Sequence, residues 1–185
     1  MAQINQPSEP PKKENLFLKL TMTYGLITGL VLIVYTLLLY ISNNLLEQNF
    51  ILGVLNYIIL VAGIIIGTKS YRDQYLGGYI SYGKSLGTGV LISVFAGVVM
   101  GIFTYLLYAV IDPQLLDESI KIVQEEMLNK GVPEGQIEMM TEIQQKFQSP
   151  AVMMFSSIFS HGFMGLIFSL ITSIFTKRDQ PIFNQ

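Results

Sequence analysis

The 185-residue chain contains no cysteine and one histidine, His161. Without cysteine there are no disulfides, no thiolate metal ligands, no thiol nucleophile and no lipidated cysteine. Charged residues make up 13% of the chain, about half the ~25% usual in soluble domains. That is too little charge to cover a water-facing surface, and mean hydropathy is positive at +0.49. No basic stripe or zinc-finger spacing is present, so nucleic acid is not an expected partner. Nor is there a catalytic triad, an H-E-x-x-H pair or another His/Asp/Glu constellation. Neither enzyme activity nor a metal or cofactor is expected.

The chain is filled instead by long apolar runs. Four segments, 20–41, 51–68, 86–111 and 152–176, are long enough to cross a bilayer and hold no Lys, Arg, Asp or Glu. A crossing needs ~20 mostly apolar residues. "VLIVYTLLLYI" and "YIILVAGIII" lack the polar face of a soluble bundle helix. Backbone polar groups find no partners in lipid, so each span is expected to be a helix. The fold class is all-α, an integral membrane four-helix bundle in one domain, 16–179. Segment 1–15 is polar with three prolines and reads as a disordered tail, with 180–185 a second tail. The first apolar run exceeds the ~7–15 residues of a signal-peptide core, and no A-x-A-like site follows it, so it is expected to remain as the first helix.

The connections set an orientation. Lys12, Lys13, Lys19, Lys69, Arg72, Lys84, Lys177 and Arg178 fall on one side, with Glu9, Glu14, Asp73 and Asp179. Eight basic against four acidic residues gives +4 there. The other side has Lys121, Lys130 and Lys146 against nine acidic residues, −6. Positive charge stays cytoplasmic, so both termini are expected in the cytoplasm of an inner-membrane protein.

The connection 112–150 is expected to be an extracytoplasmic helical hairpin. Leu116, Ile120, Val123 and Met127 share one helical face, and Ile137, Met140 and Phe147 another. Gly131 suits a C-cap and Pro133 the start of the next helix. The two apolar faces either pack on each other or on the membrane surface, or form a Met-rich docking surface through Met127, Met139 and Met140.

Inside the spans small residues recur every fourth position. The stripes are Thr21, Gly25, Gly29; then Gly63, Gly67; then Ser85, Gly89, Ser93, Gly97, Gly101; then Ser157, His161, Gly165, Ser169, Ser173. Such stripes let helix backbones approach closely in lipid, within a bundle or a homo-oligomer. His161 lies in the fourth stripe, ~14 Å from the outer end at ~1.5 Å per residue. Asn56 lies seven residues before Gly63 and shares its face, and Tyr57, Tyr105, Tyr108, Ser156 and Ser160 sit at outer depths. Polar residues in a membrane are candidates for function; the alternative for His161 and Asn56 is an interhelical hydrogen bond.

"GYISYGKS", Gly78 to Ser85, fits G-x-x-x-x-G-K-[ST]. A phosphate-binding loop follows a β-strand and opens a helix. Here an apolar span precedes it and another follows, and no Walker-B-like strand is present, so no nucleotide is expected. Gly77–Gly78 suits a turn, Tyr79 and Tyr82 the interface, and Lys84 the positive side.

Spans one and three end "YTLLLYI" and "FTYLLYAVI"; spans two and four end "GTKSYRD" and "FTKRD". Either a hairpin is duplicated, or similar ends arose because inner ends attract Lys and Arg and outer ends Tyr. The short basic N-terminus, "YRDQYLGGYISYGKSLGTGV", "IDPQLLDESIKIVQEEMLNKGVPEGQ" and the closing "FTKR" occur in order over nearly the whole chain. In these the chain resembles a bacterial membrane family, domain-of-unknown-function family 4199. The resemblance implies a four-helix inner-membrane protein with no established activity, so it assigns no functional residues. The leading functional reading is a non-enzymatic assembly partner or accessory subunit. The alternative is a small oligomeric transporter or channel with a polar pathway near His161 and Asn56.

Overall fold

The structure is a computed structural model, described here for residues 13–47 and 49–180, with side chains from 16 onward. Its helices are α1 Lys13–Ile41, α2 Phe50–Tyr75, α3 Tyr82–Leu106, α4 Gln114–Asn129, α5 Glu134–Phe147 and α6 Pro150–Thr176. One π-helical turn, Leu107–Ile111, prolongs α3. Among the described residues there is no strand, only an isolated antiparallel bridge between Ile80 and Arg178. The four long helices have the length and composition to cross a bilayer, and the protein is a membrane-spanning, all-α bundle.

Several boundaries differ from the apolar runs. Helix α1 starts at Lys13, so 13–15 are helical and not tail, because nothing after Pro11 breaks a helix. Residues 1–12 and 181–185, the rest of the expected tails, lie outside the described residues. Helix α2 runs past Thr68 to Tyr75. Lys69, Arg72 and Asp73 end its apolarity, yet charged residues propagate a helix well enough. Helix α3 starts at Tyr82 after an extended Ser81, and α6 at Pro150, where Ser149 Oγ accepts from the Val152 N–H.

Side-chain neighbours fix the directions. Gly25 lies against Ile92 and Phe95, and Gly29 against Ala96 and Val99, so α1 and α3 are parallel. Gly63 meets Thr28 and Gly67 meets Tyr24, so α2 is antiparallel to α1. Gly89 meets Ser169, Gly97 meets His161 and Gly101 meets Ile158, so α6 is antiparallel to α3. The start of α1 and the end of α6 therefore share one end of the bundle, the terminal end. The α1–α2 connection and the segment holding α4 and α5 share the other, the loop end.

Helix α3 is the centre. It packs most on α6, then on α1, and α2 touches all three. Of its most apolar window 44% is buried, against 22, 17 and 22% for the windows of α1, α2 and α6. The small residues explain this centrality. A Cβ added at Gly97 would stand 2.8 Å from His161 Cβ, and one at Gly101 2.8 Å from Ile158 Cγ1. Gly165 abuts Ser93 just as closely. At the loop end the filling changes to large side chains: Leu32, Met100, Phe103, Leu107 and Leu115 form one buried cluster.

Valine at Gly97 or Gly165 is expected to destabilise the bundle by about 1–3 kcal/mol, the range for overpacking. Gly162, whose added Cβ would lie an ordinary 3.5 Å from Val94, serves as control. Circular-dichroism melting in detergent checks this. Equal melting of Gly97→Val and Gly162→Val would show that the helices do not touch this closely.

Candidate functional site

The terminal end is closed by a clasp. Gly77 and Gly78 both have left-handed φ, 65° and 88°, which turns the chain from α2 towards α3. Ile80 N–H donates to the Arg178 carbonyl and Arg178 N–H to the Ile80 carbonyl, both at 2.9 Å. Arg72 Nη1 donates to the Thr176 carbonyl at 3.0 Å, placing a cation at the negative end of α6. Ser85 and Thr176 share a buried hydroxyl–hydroxyl hydrogen bond of 2.6 Å. Tyr24 OH donates to Ser70 Oγ at 2.7 Å, tying α1 to α2.

The phosphate-loop-like stretch belongs to this clasp. A helix precedes it where a strand would be needed, and Ser85 is engaged with Thr176. Thr176 in turn donates to the Thr172 carbonyl at 2.9 Å.

The loop end holds cavities. One of about 450 Å³ lies between the ends of α1 and α2, lined by Tyr35, Leu52, Tyr57 and Asn56 among others. Asn56 is half-buried there, and its amide makes no hydrogen bond among the described residues. A second cavity, about 370 Å³, lies between α1, α3 and α6 and shares Thr36 and Leu45 with the first.

His161 sits elsewhere, against Gly97 on α3. Its Nδ1 lies 2.8 Å from the Ser157 carbonyl. A carbonyl only accepts, so Nδ1 carries the proton and Nε2 is left as an acceptor. Nε2 is buried without a partner, as are Thr68 Oγ1 and Ser169 Oγ. The structure does not bring His161 and Asn56 into one site. Among the described residues no group of three or more His, Asp or Glu is placed to hold a metal.

The α4–α5 pair is anchored at the loop end. Tyr40 OH donates to Asp112 Oδ2 at 3.0 Å, while Asp112 Oδ1 accepts from the Gln114 N–H at 3.2 Å. Leu115 enters the loop-end core. Helix α4 turns Ile120 inward, with Leu116, Val123 and Met127 half-buried on the same face.

Helix α5 leaves most of its apolar face exposed. Ile137 is buried, but Met140 and Phe147 are exposed. Apart from Ile137, the side facing α4 is polar. Gln124 Nε2 donates to Thr141 Oγ1 at 3.0 Å, and Gln148 Nε2 to Ser119 Oγ at 3.1 Å. Amide and hydroxyl groups that pair across α4 and α5 hold the inner side, and Met139, Met140, Ile143 and Phe147 point away.

With this geometry in view, the sequence model of a family described as "Protein of unknown function (DUF4199)" matches residues 23–178. The chain belongs to that family. No curated protein and no solved structure matches it. The stretches that carry the resemblance to DUF4199 meet in space: Arg72, Ile80 and Ser85 of one contact Thr176 and Arg178 of "FTKR". Spacing did not single out this clasp, because its parts are about a hundred residues apart. The pairing of Ser85 with Thr176 had one sequence signal, two hydroxyl residues at the same depth on stripe-bearing helices.

Ser85→Ala and Thr176→Ala in this DUF4199 protein are expected to show a coupling of about 0.5–1.7 kcal/mol in a double-mutant cycle of melting. Millimolar MgATP is expected to leave the melting temperature unchanged. A rise in the wild type that Lys84→Ala abolishes would restore the nucleotide reading.

Proposed function

We propose that this DUF4199 protein is a non-enzymatic protein of the bacterial inner membrane that acts as an assembly partner or accessory subunit, with α5 as its docking face. The observation that carries this reading is the orientation of α5. A helix outside the spans keeps its polar side on α4 and exposes Met139, Met140, Ile143 and Phe147. A contiguous exposed apolar face marks an interaction site. Glu134, Glu138 and Glu142 flank it, against Lys146 alone. Helices that lie on anionic bilayers are rich in Lys and Arg. The acidic rim therefore favours a protein partner that presents apolar groups edged with basic ones.

The charge difference, +4 against −6, supports a terminal end in the cytoplasm and the α4–α5 hairpin outside. A transporter or channel is less well supported. Asn56 and His161 occupy separate places, and beneath the loop-end cavities the α3–α6 seam is closed by Gly97–His161, Ser93–Gly165 and Gly89–Ser169.

Orientation is tested with single cysteines in the cysteine-free chain. Asp179 and Gln136 are both exposed and outside the spans. An impermeant thiol reagent on intact spheroplasts is expected to label Gln136→Cys and not Asp179→Cys; the reverse pattern inverts the topology.

Docking is tested with a photo-crosslinking residue at Ile143 in native membranes. A discrete protein adduct is expected, reduced about tenfold or more by Met139→Ser with Phe147→Ser. Adducts to lipid alone would replace the partner with the bilayer surface.

A further inference from the structure

The cavity between α1, α3 and α6 carries chemistry that assembly does not require. Its lining includes Thr104, Tyr108, Ser156, Ser157 and Ser160. Among the described residues none of these five hydroxyls has a protein partner. Elsewhere in the spans many hydroxyls are satisfied by the carbonyl one turn back: Thr21 by Phe17, Thr28 by Tyr24, Thr88 by Lys84, Ser93 by Gly89 and Thr176 by Thr172, whereas Thr68 and Ser169 are isolated exceptions. The Ser and Thr hydroxyls of the cavity have the same option and do not use it, and the Tyr108 hydroxyl, at the end of its ring, lies out of reach of its own helix carbonyls. Ser160 lies ten residues into α6, ~15 Å along the helix at ~1.5 Å per residue. Unsatisfied polar groups at that depth in a membrane are costly. They are therefore placed to be satisfied by something that enters.

The lining also restricts what enters. It includes no Asp, Glu, Lys, Arg or His, so neither an anion nor a cation finds a counter-charge. Hydroxyls both donate and accept, which matches other hydroxyls. Phe103, Leu107 and Met153 supply an apolar wall. The volume, about 370 Å³, falls in the range of small-ligand sites, roughly 300–1,000 Å³. Helices α1 and α6 both border the cavity yet make no extensive contact with each other, which leaves a lateral way in. Leu107 and Tyr108 belong to the π-helical turn, a distortion often found at functional sites.

We propose that this cleft binds a neutral, polyhydroxylated group through Thr104, Tyr108, Ser156, Ser157 and Ser160. The shared chemistry is that of a sugar or polyol, either free or as the head group of a membrane lipid. The site is independent of the docking reading, since it uses no residue of α5.

Delipidated full-length protein in detergent is titrated with monoglucosyl-diacylglycerol, with phosphatidylethanolamine and with free glucose, read by native mass spectrometry. The glycolipid is expected to bind at least about tenfold tighter than phosphatidylethanolamine. Ser157→Ala with Ser160→Ala is expected to weaken it about tenfold, for two lost hydrogen bonds. Ser160→Ala alone, at an exposed position, tests the same loss with less risk to folding. Thr23→Ala, outside the cleft, is expected to change nothing. Competition by glucose assigns recognition to the head group alone, and binding of the lipid without competition assigns it to the lipid. Equal affinity for the two lipids without glucose binding, or unchanged binding in both serine variants, would overturn the proposal.

Discussion

Close backbone contact along α3 is the constraint on which the rest of the bundle depends. In lipid, apolar side chains gain nothing by leaving the solvent, so helices associate through dispersion contacts and occasional hydrogen bonds. Small residues at every fourth position of α3 meet α6 in reverse order, from Ser85 with Thr176 to Gly97 with His161. Gly25 and Gly29 of α1 add a second contact on the same helix. This seam fixes the rotation of α6. Its stripe turned to α3, the same helix directs Phe155, Phe159 and Phe163 outward, and these are exposed.

The difference between the two ends follows from where the stripe stops. Gly101 is its last small residue on α3. Beyond it come Phe103 and Leu107, and the π-helical turn widens the backbone. Large side chains fill the core there, and two of the cavities lie beside them. At the terminal end the stripe runs to Ser85 and the helices stay close enough for hydroxyl and guanidinium ties to Thr176. One end is tied by short polar contacts, and the other is filled by large apolar side chains.

The spans were legible because apolar runs of that length have one stable form in lipid. Their ends were less so: α2 continues to Tyr75 because Lys69 and Arg72 interrupt apolarity without interrupting the helix. The stripe placed His161 towards a neighbouring helix, and it does abut Gly97. Pairing Asn56 with His161 did not follow, since sequence depth says nothing about which neighbour each helix faces. Which side of α5 meets α4 stayed open in the sequence for a related reason. Spacing counts apolar positions, whereas its docking side was decided by Thr141 and Gln148, whose partners Gln124 and Ser119 lie on another helix.

The two proposed sites, the exposed face of α5 and the hydroxyl cleft, have a material link. Helix α4 carries α5 through the polar pairs, and Leu115 at its start packs in the same cluster as Leu107, which lines the cleft. Asp112, between them, is held by Tyr40 of α1. A partner that shifted α4 would therefore move a wall of the cleft, provided it bound two positions of α4 with different affinity.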